Sequence, residues 1–201
     1  TGAMGSLFAA ALSAGGAEVV AVDADRAVVA AIRRDGLRIG RDGVETATPL
    51  AACGVAPGHD ARPPPPADWL IVFTKGYDTA AALDAATPWI GERTVFVTLQ
   101  NGLGNVERIH GRHPGHPIIY GLTTLTAEVR APGRIDARSA GPGETRFWTS
   151  AGAHPGAHPA AHPAAAAFAS LLTAGGIASQ VDAAIDAAIW RKLIVNCAFN
   201  P

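Results

Sequence analysis

Two continuous apolar segments constrain the fold of this chain more than any other feature. Residues 69–74 and 94–99 are runs of branched and aromatic residues, and such runs are typical of strands buried on both faces of a parallel sheet. Each run is followed at once by polar residues, Lys75 after the first and Gln100 and Asn101 after the second. In open α/β sheets, ligands bind beyond the carboxyl ends of the strands. The two segments therefore predict a parallel sheet with a site at that edge.

The beginning of the chain has the pattern of a dinucleotide-binding unit. A glycine turn over residues 1–6 opens an apolar helix, and residues 18–23 are predicted to form a buried strand that ends in Asp23. In such a unit Gly2 would let the backbone approach a pyrophosphate, and Gly5 would let the helix pack on the sheet. The phosphates would lie at the positive N-terminus of the helix. We expect that the first glycine of the fingerprint, and the strand before it, precede this chain.

The opening residues have a second interpretation. The sequence Gly-Ala-Met-Gly-Ser over residues 2–6 is also compatible with a cloning remnant. A remnant does not explain why a helix, a strand and a carboxylate follow at the spacing of a nucleotide-binding unit. The cofactor interpretation is therefore favoured.

The remaining segments complete an α/β pattern with a mostly parallel sheet and an antiparallel extension. The predicted elements are a helix over 25–34 that stops at Gly36, a hairpin around Arg41-Asp42-Gly43, a strand over 117–120, antiparallel strands over 123–129, 133–136 and 144–148, a helix over 164–174, a strand over 177–181, and a final helix capped by Asp182.

The final helix carries a polar stripe. Lys192, Asn196 and Asn200 are spaced i, i+4 and i+8, which places them on one face, and the positions between them are apolar or small. A helix that is apolar nearly all round is normally buried, so a polar stripe on it indicates a wet cleft or a ligand. The alternative is a solvated face, or amides bonded to the backbone.

Composition excludes several classes of protein. The chain has 201 residues and a net charge of −1, which gives no electrostatic reason to expect binding to nucleic acid or to an anionic membrane. It has no uninterrupted apolar run of about 18 residues, and no charged-then-apolar leader opens it. Cys53 and Cys197 are too few for a disulfide framework and are expected to be thiols in a reducing compartment. We therefore expect a cytoplasmic protein.

Two segments are of low complexity. Residues 63–66 are four prolines, which predict a stiff connector. Within 153–163, His154, His158 and His162 recur at every fourth residue, the spacing of a metal site on a helix. A proline follows each histidine and disfavours helix there. We therefore predict a solvated loop and no metal.

Four motifs together resemble the ketopantoate reductase (2-dehydropantoate 2-reductase) family, in the right order along the chain. They are Gly2-Ala-Met-Gly5, Lys75-Gly-Tyr-Asp-Thr79, Gln100-Asn-Gly-Leu-Gly104 and Lys192-Leu-Ile-Val-Asn-Cys-Ala-Phe-Asn-Pro201. The resemblance implies a Rossmann-type, doubly wound nucleotide-binding domain over residues 1–181, and the start of a helical substrate domain over 182–201 whose remainder is absent. It also implies reduction of 2-dehydropantoate to (R)-pantoate with a nicotinamide cofactor, in the pathway to pantothenate and coenzyme A.

The resemblance also assigns roles to residues. Lys192 matches the catalytic lysine of the family, and burial beside apolar neighbours is expected to lower its pKa. The other assignments are to substrate binding, by Asn196, Asn200, Lys75 and Asn101, and to cofactor binding, by Gly2, Ala3, Met4, Gly5, Asp23, Lys75, Asn101 and Ala127. A serine and a glutamate that the family supplies from its helical domain have no counterpart here. The implied partner is a small 2-oxo acid, and a homodimer is left open.

The identity of the cofactor is ambiguous. The family pattern implies NADPH, with a basic residue just after the second strand, but Ala24 occupies that position. Asp23 lies where a carboxylate accepts the ribose 2′-hydroxyl of NADH, and it would repel a 2′-phosphate. Arg26, three residues on, is placed to neutralise such a phosphate. The residues favour NADH, and the resemblance favours NADPH.

Two other functions remain open from the sequence. One is reduction of a different 2-oxo or β-oxo acid by a related reductase. The other is a non-catalytic NAD(P)-sensing module, because a fold alone does not fix a function. A sensor has no need for a lysine and two asparagines on one helix face, which favours the enzyme.

Overall fold

The computed structural model describes residues 1–55, 65–138, 143–150 and 161–199. Its helices are α1 (Ala3–Ala14), α2 (Arg26–Asp35), α3 (Thr79–Ala85), α4 (Asn105–Arg112), α5 (Pro163–Ala174) and α6 (Ile185–Phe199), with 3-10 turns at Gly76–Asp78 and Thr87–Trp89. Its strands are β1 (Val20–Asp23), β2 (Leu37–Arg41), β3 (Val44–Thr48), β4 (Ala51–Gly54), β5 (Trp69–Val72), β6 (Val95–Thr98), β7 (Ile118–Thr123), β8 (Thr126–Ala131), β9 (Arg134–Arg138), β10 (Thr145–Ser150) and β11 (Ser179–Val181). Within these described ranges, no helix combines the length and apolar character needed to cross a bilayer.

The chain forms two compact units. The first comprises Thr1–Pro63, Thr124–Glu144 and Ser170–Ser179, and the second comprises Pro64–Thr123, Thr145–Ala169 and Gln180–Pro201. The predicted boundary between residues 181 and 182 stays a prediction. The proline connector and the first two histidines of the repeat lie largely outside the described residues, which include Pro65, Pro66 and His162.

The first unit begins with the predicted helix and strand. Gly2 precedes α1 in an extended conformation, and α1 is buried from Ser6 to Leu12. The strand β1 is less buried than expected, because Val20 is 43% exposed and only Ala21 is buried. Among the described residues, β1 pairs with one strand, β4, in a two-stranded parallel sheet. The sequence did not predict β4.

The helix α2 and the hairpin that follows it are confirmed. The Asp25 carboxylate accepts a hydrogen bond from the Ala27 amide at the start of α2, and Gly36 ends the helix with φ 73°. Asp42 (φ 50°) and Gly43 (φ 79°) join β2 to β3. Two consecutive residues with positive φ are the signature of the tight hairpin turn that Asp-Gly favours.

The predicted antiparallel extension is divided between two sheets. Only β10 extends the parallel sheet, by pairing antiparallel with β7. β8 and β9 pair with each other instead, and β9 pairs in parallel with β2, which gives a four-stranded sheet in the order β3-β2-β9-β8. Alternation in a sequence identifies a strand, but it does not identify the partner of that strand.

Two glycines let α1 lie directly against the backbone at the end of α5. A Cβ on Gly15 would overlap the carbonyl oxygen of Leu171, and a Cβ on Gly175 would overlap that of Ala11. The contact is therefore between backbones, with no space for a side chain at either glycine.

The second unit is built on a five-stranded sheet in the order β11-β10-β7-β6-β5. β5, β6 and β7 are parallel, with α3 and α4 in the connections between them. The predicted α/β class with a mainly parallel sheet is thus confirmed, although α4 was not predicted. The core packs the sheet against α3, α4 and α6 through Val72, Leu83, Phe96, Val106, Ile109, Ile118, Tyr120, Leu122 and Ile185.

The helix α6 is fixed at its beginning by polar contacts. The Asp182 carboxylate accepts a hydrogen bond of 2.8 Å from the Ala184 amide, which forms a turn just before α6 instead of the predicted cap on its first residue. The Tyr120 hydroxyl donates to Asp186 at 2.9 Å. Burial, followed by this hydrogen bond, raises the pKa of Tyr120, so the phenol stays a donor at physiological pH. These contacts position α6 on β7.

The backbone contact at Gly175 generates a prediction about stability. Gly175→Ala should lower the free energy of unfolding by about 1–3 kcal/mol, because the new methyl group overlaps a helix backbone that cannot move locally. The matched control is Gly111→Ala, which lies within α4 with no atom within 4 Å of the new Cβ. It should be neutral or stabilise by up to about 1 kcal/mol. Denaturant titration measures both; equal effects of the two variants would contradict the close contact.

Candidate functional site

The carboxyl ends of two parallel strands carry the polar motifs. After β5, Lys75 precedes the turn Gly76–Asp78, and its carbonyl accepts a hydrogen bond of 2.8 Å from the Asp78 amide. After β6, the loop passes through Gly102 (φ 89°) and Gly104 (φ 82°) before α4 begins. Both glycines adopt left-handed conformations that other residues rarely adopt. The tight loop leaves the Asn101 residue exposed at the strand end.

One face of α6 combines apolar and polar residues. Ile185, Ile189, Lys192 and Asn196 are spaced i, i+4, i+7 and i+11, which places them in a single stripe. Ile185 is 1% exposed, and Ile189 packs on the core of the second unit. Lys192 and Asn196 therefore continue the stripe by which α6 packs on the sheet. The sequence contained this spacing, but only the polar members of the stripe were identified from it.

Lys192, Asn196 and Asn101 line one cleft. The cleft is lined by Leu99, Gln100, Asn101, Gly102, Gly121, Leu122, Ile189, Lys192, Leu193 and Asn196. Three of the predicted site residues thus come together within the second unit. Lys75 does not line this cleft, and Asn200 lies outside the described residues.

Lys192 is held in the cleft by a backbone acceptor. Its Nζ donates to the carbonyl oxygen of Thr123, at the end of β7, at 2.7 Å. An ammonium group has three N–H donors, so two remain for another partner. Burial lowers the pKa of Lys192 from its ordinary value. The sequence could not have identified Thr123, because a backbone carbonyl leaves no signal in residue type.

The opposite face of α6 is exposed, contrary to the expectation that an apolar helix would be buried. Trp190 and Ile194, on the side away from Lys192, are 54% and 66% exposed, and Val195, on the flank of the stripe, is 53% exposed. No described residue packs over these side chains deeply enough to bury them. The polar stripe is consequently the buried side of the helix, and the apolar side faces outward.

The predicted cofactor residues Gly2, Ala3, Met4, Gly5, Asp23 and Ala127 lie in the first unit. Gly2 begins α1 without a side-chain cap, and the first turn contains no acidic residue. Space next to Gly2 is open, with no atom within 4 Å of a Cβ built there. These features fit a phosphate at the helix N-terminus, because backbone N–H groups and the helix dipole favour an anion.

The remaining cofactor candidates are a carboxylate and a strand residue. Asp23 ends β1, where its Oδ1 accepts a hydrogen bond from the Asp25 amide at 2.9 Å. Ala127 lies on β8, half-buried and opposite Ala137 of β9. The roles assigned to all of these residues stay predictions.

Within the part of the chain that the structure describes, no group of three or more His, Cys, Asp or Glu side chains is arranged to hold a metal ion.

Comparison with known proteins gives one consistent family. The model described as "Ketopantoate reductase PanE/ApbA" matches residues 1–151. The 2-dehydropantoate 2-reductase of Halobacterium salinarum is 31% identical over 156 residues, covering 76% of this chain and 48% of that protein. The enzyme of the same name from Lactococcus lactis is 33% identical over 133 residues, covering 66% and 42%. The matches thus cover less than half of the length of these curated relatives.

Solved structures agree in fold. A structure of D-mandelate dehydrogenase with NADH and anilino(oxo)acetate is 27% identical, with a TM-score of 0.81, covering 97% of this chain and 59% of that one. An Enterococcus faecalis structure assigned as a 2-dehydropantoate 2-reductase is 28% identical, with a TM-score of 0.81 and the same coverage.

The surroundings of two asparagines predict that only one of them contributes much to stability. Asn196→Ala should change the free energy of unfolding by less than about 0.5 kcal/mol, because the side chain lines the cleft and has no hydrogen bond in the described part of the chain. Asn105→Ala should cost about 1–3 kcal/mol, because Asn105 is 6% exposed and its amide is bonded to the 100–102 loop. Thermal unfolding of both variants tests this; a large loss for Asn196→Ala would mean that this residue is structural.

Proposed function

The chain belongs to the ketopantoate reductase family, and from that premise we propose that the full-length protein reduces 2-dehydropantoate to (R)-pantoate with NAD(P)H. The observation that carries the proposal is the cleft in which Lys192, Asn196 and Asn101 meet beside the ends of parallel strands. An ammonium and two amides suit an anionic substrate with a polar carbonyl group.

The chemistry of the lysine fits reduction of a carbonyl group. A nicotinamide cofactor, when bound, would supply a hydride for the carbonyl carbon, and negative charge would develop on the carbonyl oxygen. The Lys192 ammonium would stabilise that charge and pass one proton from Nζ to the oxygen, giving the alcohol. Its bond to the Thr123 carbonyl would keep Nζ in place while the other two N–H groups face the substrate.

The other residues of the cleft position the substrate and exclude water. The amides of Asn101 and Asn196 would orient a 2-oxo acid without adding charge that perturbs the lysine. Leu122, Ile189 and Leu193 supply apolar walls. These walls favour the neutral form of the lysine and bring its pKa closer to that of a general acid active near neutrality.

A second candidate is reduction of another 2-oxo acid by the same mechanism. The observation in its favour is the similarity to D-mandelate dehydrogenase, whose structure contains NADH and anilino(oxo)acetate. Oxidation of NAD(P)H with 2-dehydropantoate, compared with a panel of 2-oxo acids, distinguishes the two candidates. Failure with every 2-oxo acid would favour the NAD(P)-sensing module. We likewise propose a cytoplasmic location and a homodimer.

Lys192 gives a prediction about the proton donor. Lys192→Met keeps most of the apolar stem and should lower kcat by at least about 10²-fold, because the general acid is lost. In the unaltered protein kcat/KM should fall as the pH rises through the pKa of Lys192, because only the ammonium form donates. Since burial lowers that pKa, the fall should begin below the ordinary value of 10.5.

The matched control for Lys192→Met is Arg191→Met, which removes a neighbouring but exposed positive charge from the same helix. It should leave kcat within about twofold. A near-normal kcat in Lys192→Met would show that another group donates the proton.

Asp23 gives a prediction about the cofactor. Asp23 should favour NADH, because two like charges about 4 Å apart repel by on the order of 4 kcal/mol at an effective dielectric constant near 20. Asp23→Ala should therefore lower kcat/KM with NADH and raise kcat/KM with NADPH. The control is Asp35→Ala, at the far end of α2, which should leave kcat/KM with both cofactors unchanged. If the unaltered protein prefers NADPH tenfold or more, the assignment of Asp23 is wrong and Arg26 is the residue to replace next.

A further inference from the structure

We propose that Gln100 is a positioning residue that holds the Lys75 turn in a fixed relation to the Asn101 loop. This inference rests on the proposed function, in which Asn101 orients the substrate, and on the role next to substrate and cofactor that the family resemblance assigns to Lys75. Lys75 follows β5 and Asn101 follows β6, so the two groups come from different strand ends. Parallel pairing aligns these strands only as far as Val72 and Thr98. Beyond that point strand pairing no longer joins the two segments.

The Gln100 side chain makes that contact. Its Nε2 donates to the Thr74 carbonyl oxygen at 2.5 Å and to the Thr79 hydroxyl at 2.9 Å. Its Oε1 accepts from the Thr98 hydroxyl at 3.0 Å. Both amide donors and the amide oxygen are thus engaged. Thr74 immediately precedes Lys75, and Thr79 is the first residue of α3, so both ends of the Lys75 turn are bonded to one side chain.

The burial of these partners makes the contact difficult to replace with water. Thr79 is fully buried and Thr98 is 3% exposed. The Thr79 hydroxyl also lies 3.5 Å from the Lys75 carbonyl oxygen, which makes Thr79 part of the turn that Gln100 holds. Loss of the amide would take from the Thr79 hydroxyl the donor that it accepts from, and from the Thr98 hydroxyl its side-chain acceptor.

The opposite side of the loop is fixed by a second amide. The Asn105 Nδ2 lies 3.4 Å from the carbonyl oxygens of Gln100 and Asn101 and 3.5 Å from that of Gly102. The Arg108 guanidinium donates to the Asn105 Oδ1 at 3.2 Å. Asn105 shapes the loop itself, whereas Gln100 connects it to the neighbouring strand end. Gln100 therefore bonds both ends of the Lys75 turn to the segment that carries Asn101.

The first test is Gln100→Met, which conserves volume and removes all three hydrogen bonds. Displacement of a substrate-positioning group by about 1 Å costs on the order of 10²-fold. We accordingly expect kcat/KM to fall between about 10-fold and 100-fold. Gln100→Glu keeps the shape and an acceptor but lacks the Nε2 donors, so it should reproduce the loss even if Gln100→Met does not fold.

The control is Thr94→Val, at the opposite end of the same strand. Thr94 is 1% exposed, its hydroxyl donates to the Ala67 carbonyl at 2.7 Å, and it accepts from the Gly91 amide at 2.9 Å. Its loss removes comparable buried hydrogen bonds far from the strand end, so it should lower the melting temperature and leave kcat/KM within about twofold. Equal kinetic effects of Thr94→Val and the Gln100 variants would overturn the proposal.

A double-mutant cycle separates positioning from a general loss of structure. If Gln100 acts through Lys75, then Gln100→Met in a Lys75→Ala background should reduce kcat/KM by less than about threefold further. The full loss in both backgrounds would overturn the proposal, because the glutamine would then act independently of the lysine.

Hydrogen exchange distinguishes failure of this inference from failure of the proposed function. If the unaltered protein reduces no 2-oxo acid, the proposed function is wrong, but the contact is still testable. Amides of residues 76–79 should exchange at least about tenfold faster in Gln100→Met than in Thr94→Val. Equal exchange in the two variants would show that Gln100 does not hold the turn.

Discussion

Parallel pairing of β5, β6 and β7 is the constraint on which the second unit depends. Every residue of β6 and β7 is buried, so a charged side chain along these strands would have a large desolvation cost. Polar groups appear where pairing stops. Lys75, Asn101 and the Thr123 carbonyl oxygen all occur at or just beyond these carboxyl ends. Side chains are thus apolar along these strands and polar at the carboxyl ends, so the groups able to take part in chemistry lie at those ends.

The helix α6 brings a cation to this edge of the sheet. Ile185 and Ile189 attach the helix to the sheet, and two turns later the same stripe delivers Lys192 and Asn196. The position of the ammonium is consequently determined by hydrophobic packing, which is stiff, and by one hydrogen bond to Thr123. The burial that fixes the lysine also lowers its pKa. Position and acidity therefore have a common cause.

Much of this architecture was predictable because local signals were strong. The Asp42-Gly43 hairpin, the Asp25 and Gly36 helix ends and the apolar strands β5 and β6 were all identified from residue type and spacing. β4 was missed because Ala-Ala-Cys-Gly contains no branched or aromatic residue, and only its pairing with β1 makes it a strand.

The sequence predicted only in part which residues come together at the site. Lys192, Asn196 and Asn101 carry recognisable side chains, and the structure places them in one cleft. The Thr123 carbonyl and the bonds of Gln100 depend on contacts between distant residues, which composition and periodicity do not encode.

The two faces of α6 have a mechanical consequence. Trp190 and Ile194 lie on the outward side of the same rigid rod that carries Lys192 on its inward side. A helix advances 1.5 Å per residue, so a slip by even one residue would exceed the tolerance of the 2.7 Å bond to Thr123. A displacement of the whole helix that moves Trp190 would therefore also move Nζ relative to the Thr123 carbonyl oxygen.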